Sequence, residues 1–170
     1  MQLILLASGM GSRLGYHTKY IPKCAVKIKN KSIVEYNFNF FNNFSKKIAV
    51  VGYKKNIIKK ILIGEKFTFV TNKRYKTTNM VESMFICSKY INDDVVICYS
   101  DIIFDKNIYK NLISKNNIMP VNINWYNLWK MRMKKNQIFN DAENILIKNK
   151  YLIEIGTKIQ KKIPQHQFMG

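Results

Sequence analysis

The segment with the clearest chemical potential is Ser8-Gly9-Met10-Gly11-Ser12-Arg13-Leu14-Gly15, directly after an apolar run at residues 3–7. Glycines let the main chain approach an anion closely and turn its N–H groups toward phosphate oxygens. Arg13 follows at a distance from which its guanidinium grips a phosphate at two points. Lys23, after Pro22, adds a compact positive charge to the same anion. A tight turn between strand and helix would also use glycine, but it would not need two cations at this spacing. Phosphate binding is the stronger reading. A Walker A loop is excluded, since four residues between its glycines and a following Gly-Lys-Ser/Thr are absent. A dinucleotide fingerprint is excluded as well: the third glycine comes one residue late, and Pro22 cuts short the helix that should follow.

The elements that must position this loop alternate between strand and helix periods, which predicts an α/β fold with a mostly parallel sheet. Residues 3–7 read as a strand covered on both faces. Residues 25–28 read as a short strand turning at Asn30-Lys31, and Ser32 with Glu35 has the spacing of a capping box opening a helix to about Asn43. Residues 47–51 read as a second main strand closed by Gly52, 56–63 as a helix and 67–71 as a strand. Asn79 with Glu82 opens a helix to about Tyr90, with Val81, Met84, Phe85 and Ser88 on one side. Residues 95–99 read as a third buried strand ending in Ser100-Asp101, 106–114 as a helix and 119–124 as a strand. Residues 125–135 fit either period, 145–148 with 151–155 form a hairpin around Asn149-Lys150, and 157–170 carry no clear period. No repeat or linker divides the chain, so residues 1–170 are expected to form a single domain.

Composition narrows the class. The 170 residues are 47% hydrophobic and 13% aromatic, enough to build a core. Lys and Arg number 29 against 10 Asp and Glu, a formal +19. The cations are spread along the chain without a block of like charges, and no nucleic-acid motif is present. The charge is therefore read as compositional, or as suiting a polyanionic small substrate, rather than as a nucleic-acid footprint. No apolar run approaches the ~20 residues of a membrane helix. No leader peptide is evident. Cys24, Cys87 and Cys98 are an odd count without paired spacing, which predicts reduced thiols in a cytoplasmic protein.

Leu6-Ala7-Ser8-Gly9-Met10-Gly11-Ser12-Arg13-Leu14, then Pro22-Lys23 and Ile33, resembles the signature of the nucleotidyltransferase superfamily, the sugar-phosphate and MobA-like NTP transferases. Cys24 departs from it, standing where a small aliphatic residue is usual. Val51-Gly52-Tyr53 resembles the family's motif at the end of its second main strand. Asn72, Tyr75 and Thr78-Asn79-Met80-Val81-Glu82-Ser83-Met84 resemble the branch that transfers cytidylyl groups to phosphocholine, phosphonates and other phosphorylated small molecules. So do Ser100-Asp101-Ile102-Ile103-Phe104, Trp125, Trp129, Arg132, Asp141-Ala142-Glu143 and Ile155-Gly156.

The resemblance implies a three-layer α/β/α sandwich with a Rossmann-like, mostly parallel central sheet. It also implies a longer catalytic domain, so this chain is expected to be shortened at its C-terminus, just where a further strand would begin near Phe168-Met169-Gly170. The implied reaction is CTP plus a phosphorylated acceptor giving a CDP-linked product and pyrophosphate, in the service of capsule or cell-surface glycan or of phospholipid headgroups. Arg13 and Lys23 would be the catalytic cations, and Gly9, Gly11 and Ser12 would hold the triphosphate. Ala7, Ser8, Gly52, Asn79 and Ser83 would surround the base and ribose, although Asn79 fits a plain helix cap as well. Asp101 would coordinate Mg²⁺, a hard cation that takes oxygen ligands, at the carboxyl end of a central strand; a loop carboxylate or a cap is the plainer reading.

Asp141 and Glu143, two apart, would share one side of an extended segment and hold an acceptor's positive group or a second metal, or simply lie in a solvated loop. Trp125 and Trp129 fit core packing better than stacking on an acceptor cation. His17 and His166 receive no role. Three alternatives stay open: a sugar-1-phosphate nucleotidyltransferase using UTP, GTP or dTTP, a nucleotide-binding module without turnover, and a nucleic-acid-binding protein driven by the basic charge. A homodimer is also left open.

Overall fold

The computed structural model describes residues 1–113, 117–159 and 162–169. The chain divides into two compact units, Met1–Tyr109 and Lys110–Gly170.

In the first unit, β1 (Gln2–Ala7) is followed by the glycine loop, a 3₁₀ turn at Ser12–Thr18 and another at Lys23–Ala25. A small hairpin of β2 (Lys27–Ile28) and β3 (Lys31–Ser32) leads into a 3₁₀ turn at Ile33–Asn37 and the single turn of α1 (Phe38–Phe41). Then come β4 (Lys46–Val51), α2 (Lys55–Ile61), β5 (Thr68–Thr71), α3 (Met80–Ile86) and β6 (Val95–Tyr99), and α4 (Lys106–Ile113) begins in this unit and ends in the next. The strands form one parallel sheet in the order β5-β4-β1-β6, with Leu6 opposite both Val50 and Tyr99. Side chains alternate across a strand. Leu3, Leu5, Ala49 and Val51 therefore bury one face against Val34, Phe40, Phe41, Ile58 and Leu62, while Ile4, Ile48, Val50 and Val70 bury the other with Cys87 and Ile86. Each fully buried aliphatic side chain contributes about 1.5–3 kcal/mol, so β1, apolar and covered on both faces, anchors the three layers expected from the sequence.

Four local expectations change, one of them the strand predicted over 119–124, which shortens to Val121–Asn122. The helix predicted over 32–43 is mostly 3₁₀. Its Ser32–Glu35 capping box forms, but Asn37 leaves helical geometry at ψ 5° and its buried amide donates to Ile102 O at 2.7 Å. The strand predicted over 25–28 shortens to β2, because Ala25 belongs to the preceding 3₁₀ turn. The helix predicted to Tyr90 ends at Ile86, with a 3₁₀ turn at Ser88–Tyr90, and buries the opposite face from the one its apolar residues suggested: Ser83 and Cys87 point in, whereas Val81 and Phe85 are 52% and 62% exposed. Hydrogen bonds to Ser83 set that rotation.

The second unit holds β7 (Val121–Asn122), α5 (Trp125–Lys130), α6 (Lys135–Asp141), β8 (Glu143–Lys148), β9 (Tyr151–Lys158) and β10 (Gln167–Phe168). Strands β7 and β10 pair antiparallel, and β8–β9 is the predicted hairpin, turning at Asn149 and Lys150, both at positive φ. Trp125 and Trp129 pack with Ile138, Ala142 and Ile159. Core packing is therefore their role. The indole N–H groups are satisfied too: Trp125 donates to Pro164 O at 3.0 Å and Trp129 to Asp141 Oδ2 at 2.9 Å. Of the predicted elements, the end of the 106–114 helix at Ser114 lies outside the described residues, as do parts of the 157–170 stretch. Among the described residues no helix is long and apolar enough to cross a membrane.

Candidate active site

Parallel pairing aligns the carboxyl ends of β1, β4 and β6, and each end releases a candidate residue: Ser8 after Ala7, Gly52 after Val51, Asp101 after Ser100. This edge is where ligands bind in open α/β sheets. Ser100 N–H donates to Leu6 O at 3.2 Å and Tyr53 N–H to Ser8 O at 3.0 Å, so the main chain stays in register past the strand ends.

The glycine loop is held from behind. Gly11 adopts φ 66°, and Thr18, buried, donates its hydroxyl to Gly11 O at 2.9 Å and to Gly15 O at 3.3 Å. A Cβ on Gly11 would stand 2.7 Å from Lys23 Cβ, so glycine is required both for the conformation and for the approach of Lys23. Tyr53 Oη donates to Thr18 O and Lys19 O, at 3.0 and 2.5 Å, tying β4's end to the same loop. Ser12 and Arg13 lie exposed on the 3₁₀ turn.

Lys23 Nζ stands 2.5 Å from Asp101 Oδ2, both side chains partly exposed. Cys24 and Cys98 lie beneath, and burial together with the Asp101 charge pushes both thiols up to about 12, so they are protonated and inert. Asn37, through its bond to Ile102 O, fixes the segment that carries Asp101. Among the described residues no cluster of three or more His, Cys, Asp or Glu surrounds Asp101. That donor set fits Mg²⁺, which commonly takes one or two carboxylates and completes its shell with substrate phosphates and water. It does not fit a structural zinc.

A second group gathers beside Gly52. Ser83 Oγ lies 3.0 Å from Ser8 Oγ and 3.0 Å from Asn72 Nδ2, and Asn79 caps α3 by accepting from Glu82 N at 3.0 Å. A Cβ on Gly52 would meet Tyr75 Cβ at 2.7 Å and Ser8 O at 2.8 Å, which is why this strand ends in glycine.

The fold thus brings Ala7, Ser8, Gly9, Gly11, Ser12, Arg13, Lys23, Gly52, Asn79, Ser83 and Asp101 to the carboxyl side of one sheet. Asp141 and Glu143 belong to the second unit and do not share an extended segment. Asp141 closes α6 and takes the Trp129 N–H, while Glu143 opens β8, because Trp129 burial extends the helix through Asp141. Thr18 and Asn72 join the site through hydrogen bonds that their place in the sequence does not announce. Asn72 stands in the motif quoted above, but nothing in its type signals burial.

Comparison with known proteins bears on the family and the fold. The model of the MobA-like NTP transferase domain matches residues 3–121. The chain is 33% identical to CTP:phosphoglutamine cytidylyltransferase of Campylobacter jejuni, over 93% of this chain and 66% of that protein. It is 27% identical to choline-phosphate cytidylyltransferase of Streptococcus pneumoniae, over 71% of this chain and 53% of that one. In fold it is similar to the inositol-1-phosphate CTP transferase of T. maritima, with a TM-score of 0.72 at 20% identity over 98% of this chain and 67% of that chain. The chain spans less than two thirds of the length of these two curated relatives. A glycine loop after the first strand and a family model that covers most of the parallel-sheet unit lead to one conclusion: this chain belongs to the family of MobA-like NTP transferase domains.

Proposed function

We propose that residues 1–170 are catalytic-domain sequence of a Mg²⁺-dependent cytidylyltransferase acting in the cytoplasm. It moves CMP from CTP to a phosphorylated small molecule of the phosphocholine, phosphonate or phosphoglutamine type, a step that would serve capsule or other cell-surface glycan. The observation that carries the reading is the Lys23–Asp101 pair at 2.5 Å, with Lys23 packed against Gly11. The similarity to the C. jejuni cytidylyltransferase supports the choice of nucleotide.

In this reading an acceptor phosphate oxygen attacks the α-phosphorus of CTP in line. The bond from that phosphorus to the oxygen bridging to the β-phosphate breaks, and pyrophosphate leaves with the electron pair. Main-chain N–H groups near Gly9, Gly11 and Ser12 hold the triphosphate, and Arg13 clamps the departing pyrophosphate. Lys23 sits against the α-phosphate and the incoming oxygen, where charge develops. Asp101 holds Mg²⁺, which when bound neutralises and orients phosphate oxygens. Ala7, Ser8, Gly52, Asn79 and Ser83 enclose the base and ribose.

The test is pyrophosphate release with Mg²⁺, each of CTP, UTP, GTP and dTTP, and a panel of phosphocholine, 2-aminoethylphosphonate, phosphoglutamine and sugar 1-phosphates. Release with CTP and one of the first three acceptors is expected. Release only with another nucleotide and a sugar 1-phosphate, or none from any pair, overturns it.

A further inference from the structure

The buried hydrogen-bond chain beside Gly52 has a definite direction. Asn72 is 1% exposed, and its Oδ1 accepts from Arg74 N–H at 2.8 Å, which fixes the amide orientation because a main-chain N–H only donates. Its Nδ2 therefore faces Thr78 Oγ1 at 2.8 Å and Ser83 Oγ at 3.0 Å with its two protons. Thr78 passes its own proton to Arg74 O at 2.9 Å. Ser83, 2% exposed, has one proton and two neighbours left: Asn79 O at 3.1 Å, which only accepts, and Ser8 Oγ at 3.0 Å. One arrangement makes both contacts. Ser83 donates to Asn79 O, and Ser8 donates to Ser83. The reverse sets two proton-free oxygens 3.1 Å apart, leaves Asn79 O with only the Ser83 N–H at 3.2 Å, and loses a bond at a hydroxyl that is 2% exposed, where an unmade bond is costly.

Ser8 has thereby spent its only proton inside the protein. We infer that Ser8 Oγ is a fixed acceptor toward the nucleotide base, with Asn72 and Ser83 as positioning residues. The inference rests on the proposed placement of the base beside Ser8 and Gly52. A hydroxyl that offers only its acceptor pairs with an exocyclic amine, as on cytosine, and opposes a carbonyl oxygen, as at the same position of uracil. A site built for a hydrogen bond rejects the analogue that cannot make it more strongly than a merely apolar pocket would.

The experiment is isothermal titration of the whole chain with CTP and with UTP, both with Mg²⁺. CTP is expected to bind at least ~10-fold more tightly than UTP. In Ser83→Ala the Ser8 proton is released and can turn to a carbonyl, so UTP should gain and the ratio should fall toward unity, with Ser83→Thr restoring it. In case Ser83→Ala does not fold, Ser8→Ala gives an independent reading: CTP should weaken about 10-fold and UTP should hardly change. Equal binding of CTP and UTP by the unaltered chain, or a ratio untouched by both alanine variants, overturns the inference. Binding of neither nucleotide would overturn the nucleotide-site reading beneath it.

Discussion

Lys23 Nζ and Asp101 Oδ2 stand 2.5 Å apart across the carboxyl edge of the sheet, one delivered by the glycine loop and the other by β6. Each holds the other's charge where phosphates would enter. Their stability contribution is small, since partly exposed pairs are worth about 0–1 kcal/mol. Lys23→Met and Asp101→Asn should each leave the urea midpoint nearly unchanged and lower pyrophosphate release by about 10²–10³, the usual loss when a preorganised electrostatic group is removed.

Gly11 and Gly52 are needed for space as much as for conformation. Gly52→Ala would set a methyl 2.7 Å from Tyr75 Cβ and 2.8 Å from Ser8 O. Unfolding by urea should show a loss of about 1–3 kcal/mol, typical of overpacking. Gly11→Ala adds a strained φ of 66° and displaces Lys23, so its loss of CTP affinity should exceed its loss of stability.

The thiols predict alkaline sensitivity. Burial first, and the Asp101 charge with it, push the Cys24 and Cys98 thiols from the ordinary 9.0 up to about 12 in the folded chain, with a Ser100 hydrogen bond opposing the rise at Cys24. Groups raised in the native state contribute fully below the unfolded value and lose that contribution as pH climbs toward the folded one. Urea midpoints should hold to pH 9 and decline above it, less steeply in Cys98→Ala. Below pH 9 a thiol reagent should label the native protein only as fast as it opens.

Asn79 closes the first turn of α3 in a capping box with Glu82. Asn79→Ala should cost about 1 kcal/mol, seen as a lower melting temperature. CTP binding should weaken further if Asn79 also touches the nucleotide.

How much of this could be read from residue order follows from the range of the interactions. The strands of the parallel sheet and the β8–β9 hairpin were legible because continuous apolar runs and turn residues act locally. The glycine loop was legible because its cations lie close in sequence. What stayed hidden depends on distant partners. The rotation of α3 is set by Ser83 meeting Asn72 and Ser8, against the pull of Val81 and Phe85. The break at Asn37 is set by Ile102 O. Trp129 draws Asp141 into a helix end that no spacing of carboxylates announces.

The central claim is that the glycine loop, Lys23 and Asp101 form one site for a nucleoside triphosphate and its metal. Isothermal titration of CTP with and without Mg²⁺, on the unaltered chain and on Asp101→Asn, tests it most directly. The account predicts one binding event that Mg²⁺ strengthens in the unaltered chain and leaves unchanged in the variant. An absence of binding, or a Mg²⁺ effect of equal size in both proteins, would contradict it.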